Sequence, residues 1–218
     1  MIFAFLARHP LKLALSDRRR GKRLARTTAA ERFAVTYSAV SLISFALVVA
    51  LGDVNALIPL LAVTPLFALQ AYFDATNRSR ASAAELIGVV ALGASAASIT
   101  LAGGWSTERT LALWALLVTR GLPSVLYVRA RLRLERSQPH GKLLPLVAHA
   151  AALAVVIVLA VNNLIPLWSI AVPVLLLARA VYGLSPYRRG HAARQIGVQE
   201  VVFGVVAISV IALSYAGF

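Results

Sequence analysis

The sequence predicts an all-α fold: a polytopic transmembrane helical bundle of about seven membrane-crossing helices, N-terminus in the cytoplasm and C-terminus outside. Three observations predict it. The 218 residues are 60% hydrophobic and only 14% charged, whereas a soluble domain is about half apolar and about one quarter charged. The apolar residues gather into blocks of roughly 18–20, the length that crosses about 30 Å of hydrocarbon at about 1.5 Å per residue. The basic residues collect in alternate loops.

The blocks run over Phe33–Leu51, Ala56–Phe73, Ala84–Leu101, Leu111–Tyr127, Leu143–Val161, Leu164–Val181 and Val198–Tyr215. Helices in a soluble core keep a polar face, and Ala150–Ala160 has none. Two regions follow: residues 1–32 as a basic cytoplasmic segment, and residues 33–218 as a seven-helix transmembrane domain. Met1–Leu6 is too short to cross a membrane and is expected to be a helix end or a short interfacial segment.

Lys and Arg hold short loops in the cytoplasm. Nine basic residues precede Phe33, and Arg78 and Arg80 lie between the second and third blocks. Six more run from Arg120 to Lys142 and four from Arg179 to Arg194, which leaves only Arg109 of the 22 on the other side. Trp105, Trp114 and Trp168 fall at outer helix ends and Tyr37, Tyr72, Tyr127, Tyr182 and Tyr187 at inner ends, as in interfacial aromatic belts. The third block repeats small residues at a spacing of four (Ala84 and Gly88, Ala91 and Ser95, Gly93 and Ala97). Such rows let backbones approach closely in lipid, so this helix is expected at the centre of the bundle.

The net charge of +14 would suggest nucleic acid in a soluble protein. Its confinement to loops beside apolar blocks points instead to anionic lipid headgroups, and no nucleic-acid partner is expected. There is no Cys, which excludes disulfides and thiolate chemistry.

Charged side chains inside a bilayer are costly and suggest a site. Asp74, Glu85, Arg120, His149, Arg179 and Glu200 lie within or at the edge of the blocks, all in the cytoplasmic half. Glu85, Arg120, His149, Arg179 and Glu200 are expected to converge on one cytoplasm-facing pocket, with Asp74, Asn77 and Ser124 at its rim. Arg120, Arg129, Arg131 and Arg133 are the candidate ligands for an anionic group. Pro123 is expected to bend or break the fourth helix. A plainer account competes: acids favour helix N-termini, and arginines at helix ends snorkel to headgroups. His-Glu-x-x-His, the Walker glycine loop, Gly-x-Gly-x-x-Gly and Gly-x-Ser-x-Gly are all missing. No metal or cofactor is evident, and the catalytic residues are unknown.

Four inner segments carry a further signal: Ala4–Gly21 (AFLARHPLKLALSDRRRG), Tyr72–Gly88 (YFDATNRSRASAAELIG), Arg120–Glu135 (RGLPSVLYVRARLRLE) and Ala178–Glu200 (ARAVYGLSPYRRGHAARQIGVQE). Together they resemble the YwiC-like family of bacterial integral membrane proteins, along essentially the whole chain. That resemblance implies a multi-pass protein of the bacterial cytoplasmic membrane with no assigned activity. Members of that family usually begin with a Lys-Glu-His-Gly-Ala-Trp type motif and two further helices, which this sequence lacks. Phe3–Leu6 is then expected to be the stub of a second helix. Nine helices would give a distant, fold-level similarity to the UbiA-type prenyltransferases, which act on isoprenoids and hold Mg²⁺ and diphosphate with two Asp-rich motifs. The corresponding segments here carry Asp17 alone and Glu135 alone.

Three functions stay open at this point. The chain acts on an isoprenoid or other lipid, or it is a non-enzymatic factor binding anionic lipid or a partner protein, or it transports a small solute. The topology is testable by itself. Reporter fusions at Gly104 and at the C-terminus are expected to report the periplasm and a fusion at Gln138 the cytoplasm; a cytoplasmic C-terminus overturns the seven-crossing arrangement.

Overall fold

A computed structural model describes residues 2–19, 21, 24–75 and 82–218. Every regular element among them is helical: α1 Ile2–Arg19, α2 Ala25–Leu51, α3 Ile58–Ala62, α4 Thr64–Ala75, α5 Ser82–Ala102, α6 Thr107–Glu135, α7 Leu143–Val161, α8 Ala171–Gly183 and α9 Ala193–Tyr215. Short 3₁₀ turns, Val54–Leu57 and Leu167–Ile170, precede α3 and α8. Five stretches are long and apolar enough to cross a membrane: Ala25–Ala50, Glu85–Ala102, Thr107–Glu135, Leu143–Val161 and Ala193–Tyr215. The protein is a helical membrane bundle.

The two remaining predicted blocks are interrupted, and proline explains both. Pro has no N–H to donate and fits the first turn of a helix. Asp53 accepts the Asn55 N–H at 2.9 Å and starts the first 3₁₀ turn. Pro59 then lies in the opening turn of α3 and Pro65 in that of α4, so the predicted single helix Ala56–Phe73 becomes three short pieces. Just before the sixth block Asn163 takes a positive φ of 55°, and within the block Pro166 caps the turn Leu167–Ile170. The continuous part, α8, is only 13 residues long.

Pro123 does not break its helix: α6 runs through it for 29 residues. The carbonyl that loses its donor is that of Thr119, four residues back. Two hydroxyls of the same stretch bond other carbonyls, Ser124 Oγ that of Arg120 at 3.0 Å and Thr119 Oγ1 that of Leu116 at 2.9 Å.

The hub is α6, which packs against α5, α7, α8 and α9. The sequence pointed to α5 instead. In fact α5 joins the broken second segment to α6, through Ala91, Ala94 and Ala97 and the small Gly93. A Cβ at Gly93 would stand 2.7 Å from the Trp114 ring, and the Trp114 indole N–H donates to the Val90 carbonyl at 3.0 Å. Trp114 is therefore a packing residue between α5 and α6 rather than part of the outer aromatic belt.

Two ends of the bundle are distinguishable. At one, Thr100 meets Thr110 at 3.2 Å, Ser169 meets Ser214 at 3.0 Å, Trp105 stacks near Tyr215 at 5.3 Å and Arg109 lies 4.9 Å over Phe218. At the other gather the start of α5, the end of α6, the start of α7 and the loop between α8 and α9. An apolar core of Leu116, Val156, Ile165, Val172, Leu176 and Ile211 fills the space toward the first end, and Tyr127, Ala130, Ala180 and Leu184 form a smaller core toward the second.

α1 and α2 form a hairpin whose chief contacts, among the described residues, are with each other. Its turn is held by the buried Asp17, which accepts from Arg26 at 3.0 Å and from Thr27 at 2.8 Å. Much of the surface is apolar: α2 exposes Leu42, Ile43, Phe45 and Leu47, and α9 exposes Val201, Val205 and Leu213. Water would oppose such faces, and hydrocarbon does not.

Gly93→Ala is expected to overpack the α5–α6 contact at a cost of about 1–3 kcal/mol. A lowered thermal midpoint in detergent checks this, with partial recovery when Trp114→Leu is added. An unchanged midpoint means that the indole is not held where the structure has it.

A charged centre between α6, α8 and α9

Arg120, Ser124, Tyr127 and Arg131 recur at helical spacing and share one face of α6. That face meets α8 and α9, which bring Arg179 and Glu200. Arg179 Nη1 donates to Glu200 Oε1 at 2.6 Å, and its Nη2 reaches Ser124 Oγ at 3.5 Å. The Arg179 guanidinium also lies 4.4 Å from the Tyr127 ring centroid and 4.9 Å from that of Phe203. Aromatic faces attract a cation, the more so when water is excluded, and the Arg179 side chain is only 7% exposed.

Arg120 completes the centre. It interacts electrostatically with both Glu200 and Arg179, and its Nη2 stands 2.7 Å from where a Cβ on Gly204 would be. Gly204 lies one turn beyond Glu200 on α9, and its missing side chain lets the guanidinium reach that helix. The centre thus holds two guanidiniums against one carboxylate. Arg120 Nε and Arg179 Nε are buried and have no hydrogen-bond partner among the described residues.

His149 adjoins the centre through Tyr127, whose ring it meets edge-on at 6.4 Å. It is 2% exposed. Its Nδ1 lies 2.7 Å from the Pro145 carbonyl, which can only accept. Nδ1 therefore carries the proton in the neutral ring, and Nε2 is left as an acceptor. That Nε2 is buried and unpartnered among the described residues. Gly183 lets Tyr127 in, because a Cβ there would fall 2.2 Å from the tyrosine oxygen.

Of the residues expected to converge, Arg120, Ser124, Arg179 and Glu200 are in mutual reach, with His149 one ring away. Glu85 is not among them. It pairs with Arg129 at 2.8 Å on the α5 side of α6, where both side chains are partly exposed. The Asp74 side chain and the whole of Asn77 lie outside the described residues.

The four arginines read as one anionic-group site also separate. Arg131 is 3% exposed and tied into the protein. It donates to the Gly183 carbonyl, to the Arg189 carbonyl at 2.5 Å and to Glu135 at 2.8 Å. It clamps α6 to the α8–α9 loop, and its charge is paired with Glu135. Arg120 belongs to the centre. Arg129 and Arg133 face a different side and line a small cavity of about 210 Å³ with Leu126, Leu144 and Pro145. The helical period is responsible, since residues 129 and 131 are about 200° apart around an α-helix.

Asp17 and Glu135, the acids at the positions of the Asp-rich motifs, are both committed to basic partners. Asp17 is held by Arg26 and Thr27, and Glu135 by Arg131 with Arg188 at 3.5 Å. Tyr127 and Phe203 escaped the sequence reading as site residues. Tyr127 looked like an interfacial anchor, and its seven-residue offset from Arg120 was the available signal; for Phe203 it was the three-residue offset from Glu200.

The sequence model of the family described as YwiC-like protein matches residues 1–100. No curated protein and no solved structure matches the chain. The matched stretch takes in α1 to α4 and nearly all of α5, whereas the charged centre is built from residues beyond it.

Glu200→Gln is expected to be strongly destabilising. Removing one member of a buried ion pair costs about 3–5 kcal/mol, because the other charge stays behind, and the Glu200 side chain is 22% exposed. The thermal midpoint in detergent should fall well below that of Glu85→Gln, whose partner Arg129 can reach solvent. Equal effects at the two positions would mean that the centre is hydrated and its pair dispensable.

Proposed function

Taking the chain as a YwiC-like membrane protein, we propose that it binds the anionic headgroup of an isoprenoid or other lipid within the cytoplasmic leaflet of a bacterial cytoplasmic membrane, at the centre formed by Arg120 and Arg179. One observation carries this reading: Arg179 holds the Glu200 carboxylate, Arg120 stands beside them without an ion pair of its own among the described residues, and the Nε–H of each arginine meets no acceptor there. An uncompensated arginine in the middle of a membrane helix costs about 2.5–3.5 kcal/mol on insertion scales. A phosphate or carboxylate neutralises the excess charge and satisfies those donors at once. His149 Nε2 adds an acceptor for a protonated ligand oxygen.

The UbiA-like version of this reading, with turnover of a diphosphate held by a divalent cation, has less support. Hard cations need several carboxylates or phosphates, and Asp17 and Glu135 are each spent on arginine. A second reading rests on exposed basic residues at the inner ends. Arg136, Lys142, Arg189 and Arg194 are exposed and suit a non-enzymatic factor held by an anionic surface, each worth about 1 kcal/mol. A small-solute transporter would use the same centre for a free anion.

Purified protein titrated with farnesyl phosphate in neutral detergent separates the three. Arg120→Gln is expected to weaken binding at least tenfold, while Arg136→Gln/Lys142→Gln/Arg194→Gln leaves it unchanged. The reverse result favours the surface reading and overturns the buried site. Inorganic phosphate binding as tightly as farnesyl phosphate favours the transporter.

A further inference from the structure

On the opposite side of α6 from the charged centre lies an apolar groove of about 480 Å³, bounded by α4, α5, α6 and α7. That volume is within the roughly 300–1,000 Å³ of sites that take one small ligand. Its walls are Leu66, Ile87, Val90, Val118, Leu122, Pro123, Leu126, Ala151 and Val155, among others, and its one hydroxyl belongs to Thr119. That hydroxyl is already donated to the Leu116 carbonyl, so the groove offers no hydrogen bond and selects hydrocarbon.

Leu126 also lines the small cavity formed by Arg129, Arg133, Gly141 and Pro145. The apolar groove and a basic lip are therefore neighbours along α6. The lip holds Arg129, paired with Glu85, and Arg133, which is exposed and has no ion pair among the described residues. From Val118 to Arg129 the helix rises about 16 Å, at about 1.5 Å per residue, and half of a bilayer's hydrocarbon core is about 15 Å. The groove is as deep as one leaflet.

We infer that this groove and lip bind one anionic glycerophospholipid of the inner leaflet, an acyl chain lying between α5, α6 and α7 and the phosphodiester on Arg133. The leaflet-deep length excludes a transmembrane partner helix as the fitting occupant, because such a helix continues through both leaflets. The exposed Arg133 guanidinium at the lip is the cation that a phosphodiester would meet. The site is independent of the buried centre: Arg120 lies on the other face of α6, and no residue of the groove belongs to that centre.

Trp114 provides the test, because it packs against Val90 at the groove wall and only Trp105 and Trp168 accompany it in the chain. The full chain carrying Trp105→Phe and Trp168→Phe is reconstituted with phosphatidylglycerol or phosphatidylcholine brominated on the acyl chains. Brominated phosphatidylglycerol is expected to quench Trp114 with an apparent affinity at least threefold above that of brominated phosphatidylcholine. Arg133→Gln should abolish that difference. Ala151→Phe, which fills the groove from its exposed wall, should reduce quenching by both lipids, whereas Ala150→Phe, outside the groove, should not. Arg120→Gln, which tests the proposed function, should leave this signal intact. Equal quenching by the two lipids in the parent, or an undiminished difference in Arg133→Gln, overturns the proposal. So does an absence of quenching by either, which would mean that protein covers the groove.

Discussion

Arg131 is the interaction on which the basic end of the bundle depends. It is buried and donates to the Gly183 and Arg189 carbonyls and to Glu135. The carbonyl of Gly183 belongs to the last turn of α8, where backbone acceptors have no intrahelical partner. In hydrocarbon, where water cannot help, an unsatisfied carbonyl costs several kcal/mol. One guanidinium thus closes the end of a short helix and ties the following loop to α6. Because α8 and α9 enter and leave that loop, their rotation about α6 is settled there, and with it the positions of Arg179 and Glu200.

The rest of α6 follows from this attachment. One face carries Arg120, Ser124, Tyr127 and Arg131 toward α8 and α9. The other carries Val118, Leu122 and Leu126 toward α4 and α5, with Arg129 and Arg133 at its end. The two faces differ in what the bilayer demands of them. Charge on the protein-facing side is tolerable because Glu200 and two aromatic rings surround Arg179. On the other side the charges lie toward the helix end, where Arg129 pairs with Glu85 and Arg133 is exposed.

Depth could be read from the sequence, and azimuth could not. From the apolar blocks Arg120, His149, Arg179 and Glu200 are expected at similar levels along the bundle, and the structure brings Arg179 and Glu200 together with Arg120 beside them and His149 one ring away. Whether Glu85 joins them depends on which way α5 is turned, and that is decided by Gly93 receiving Trp114, a contact between residues 21 apart. Prolines show the same limit. Pro59, Pro65 and Pro166 interrupt the chain, but Pro10 and Pro123 lie within continuous helices. Pro123 lies deep inside α6, which α5, α7, α8 and α9 hold from several sides, and that packing is not visible in the sequence. The YwiC-like resemblance was read along the whole chain, and the family match reaches residue 100.

That limit has a physical consequence for how the molecule divides. The matched residues build the hairpin α1–α2, the broken second segment and α5, none of which contributes a side chain to the centre of Arg120, Arg179 and Glu200. Two of their acids pair within the hairpin, Asp17 with Arg26 and Glu31 with Arg18, and Glu85 crosses to Arg129 of α6. The unmatched residues form the tighter assembly of α6 to α9, with most of the apolar core and the excess positive charge inside it. The two parts meet along α5 and α6, and the apolar groove runs along that contact. A ligand lying there touches both parts at once, so its binding energy adds to their association. With a lipid bound there as inferred, occupancy of the groove and cohesion of the bundle would be coupled by mass action.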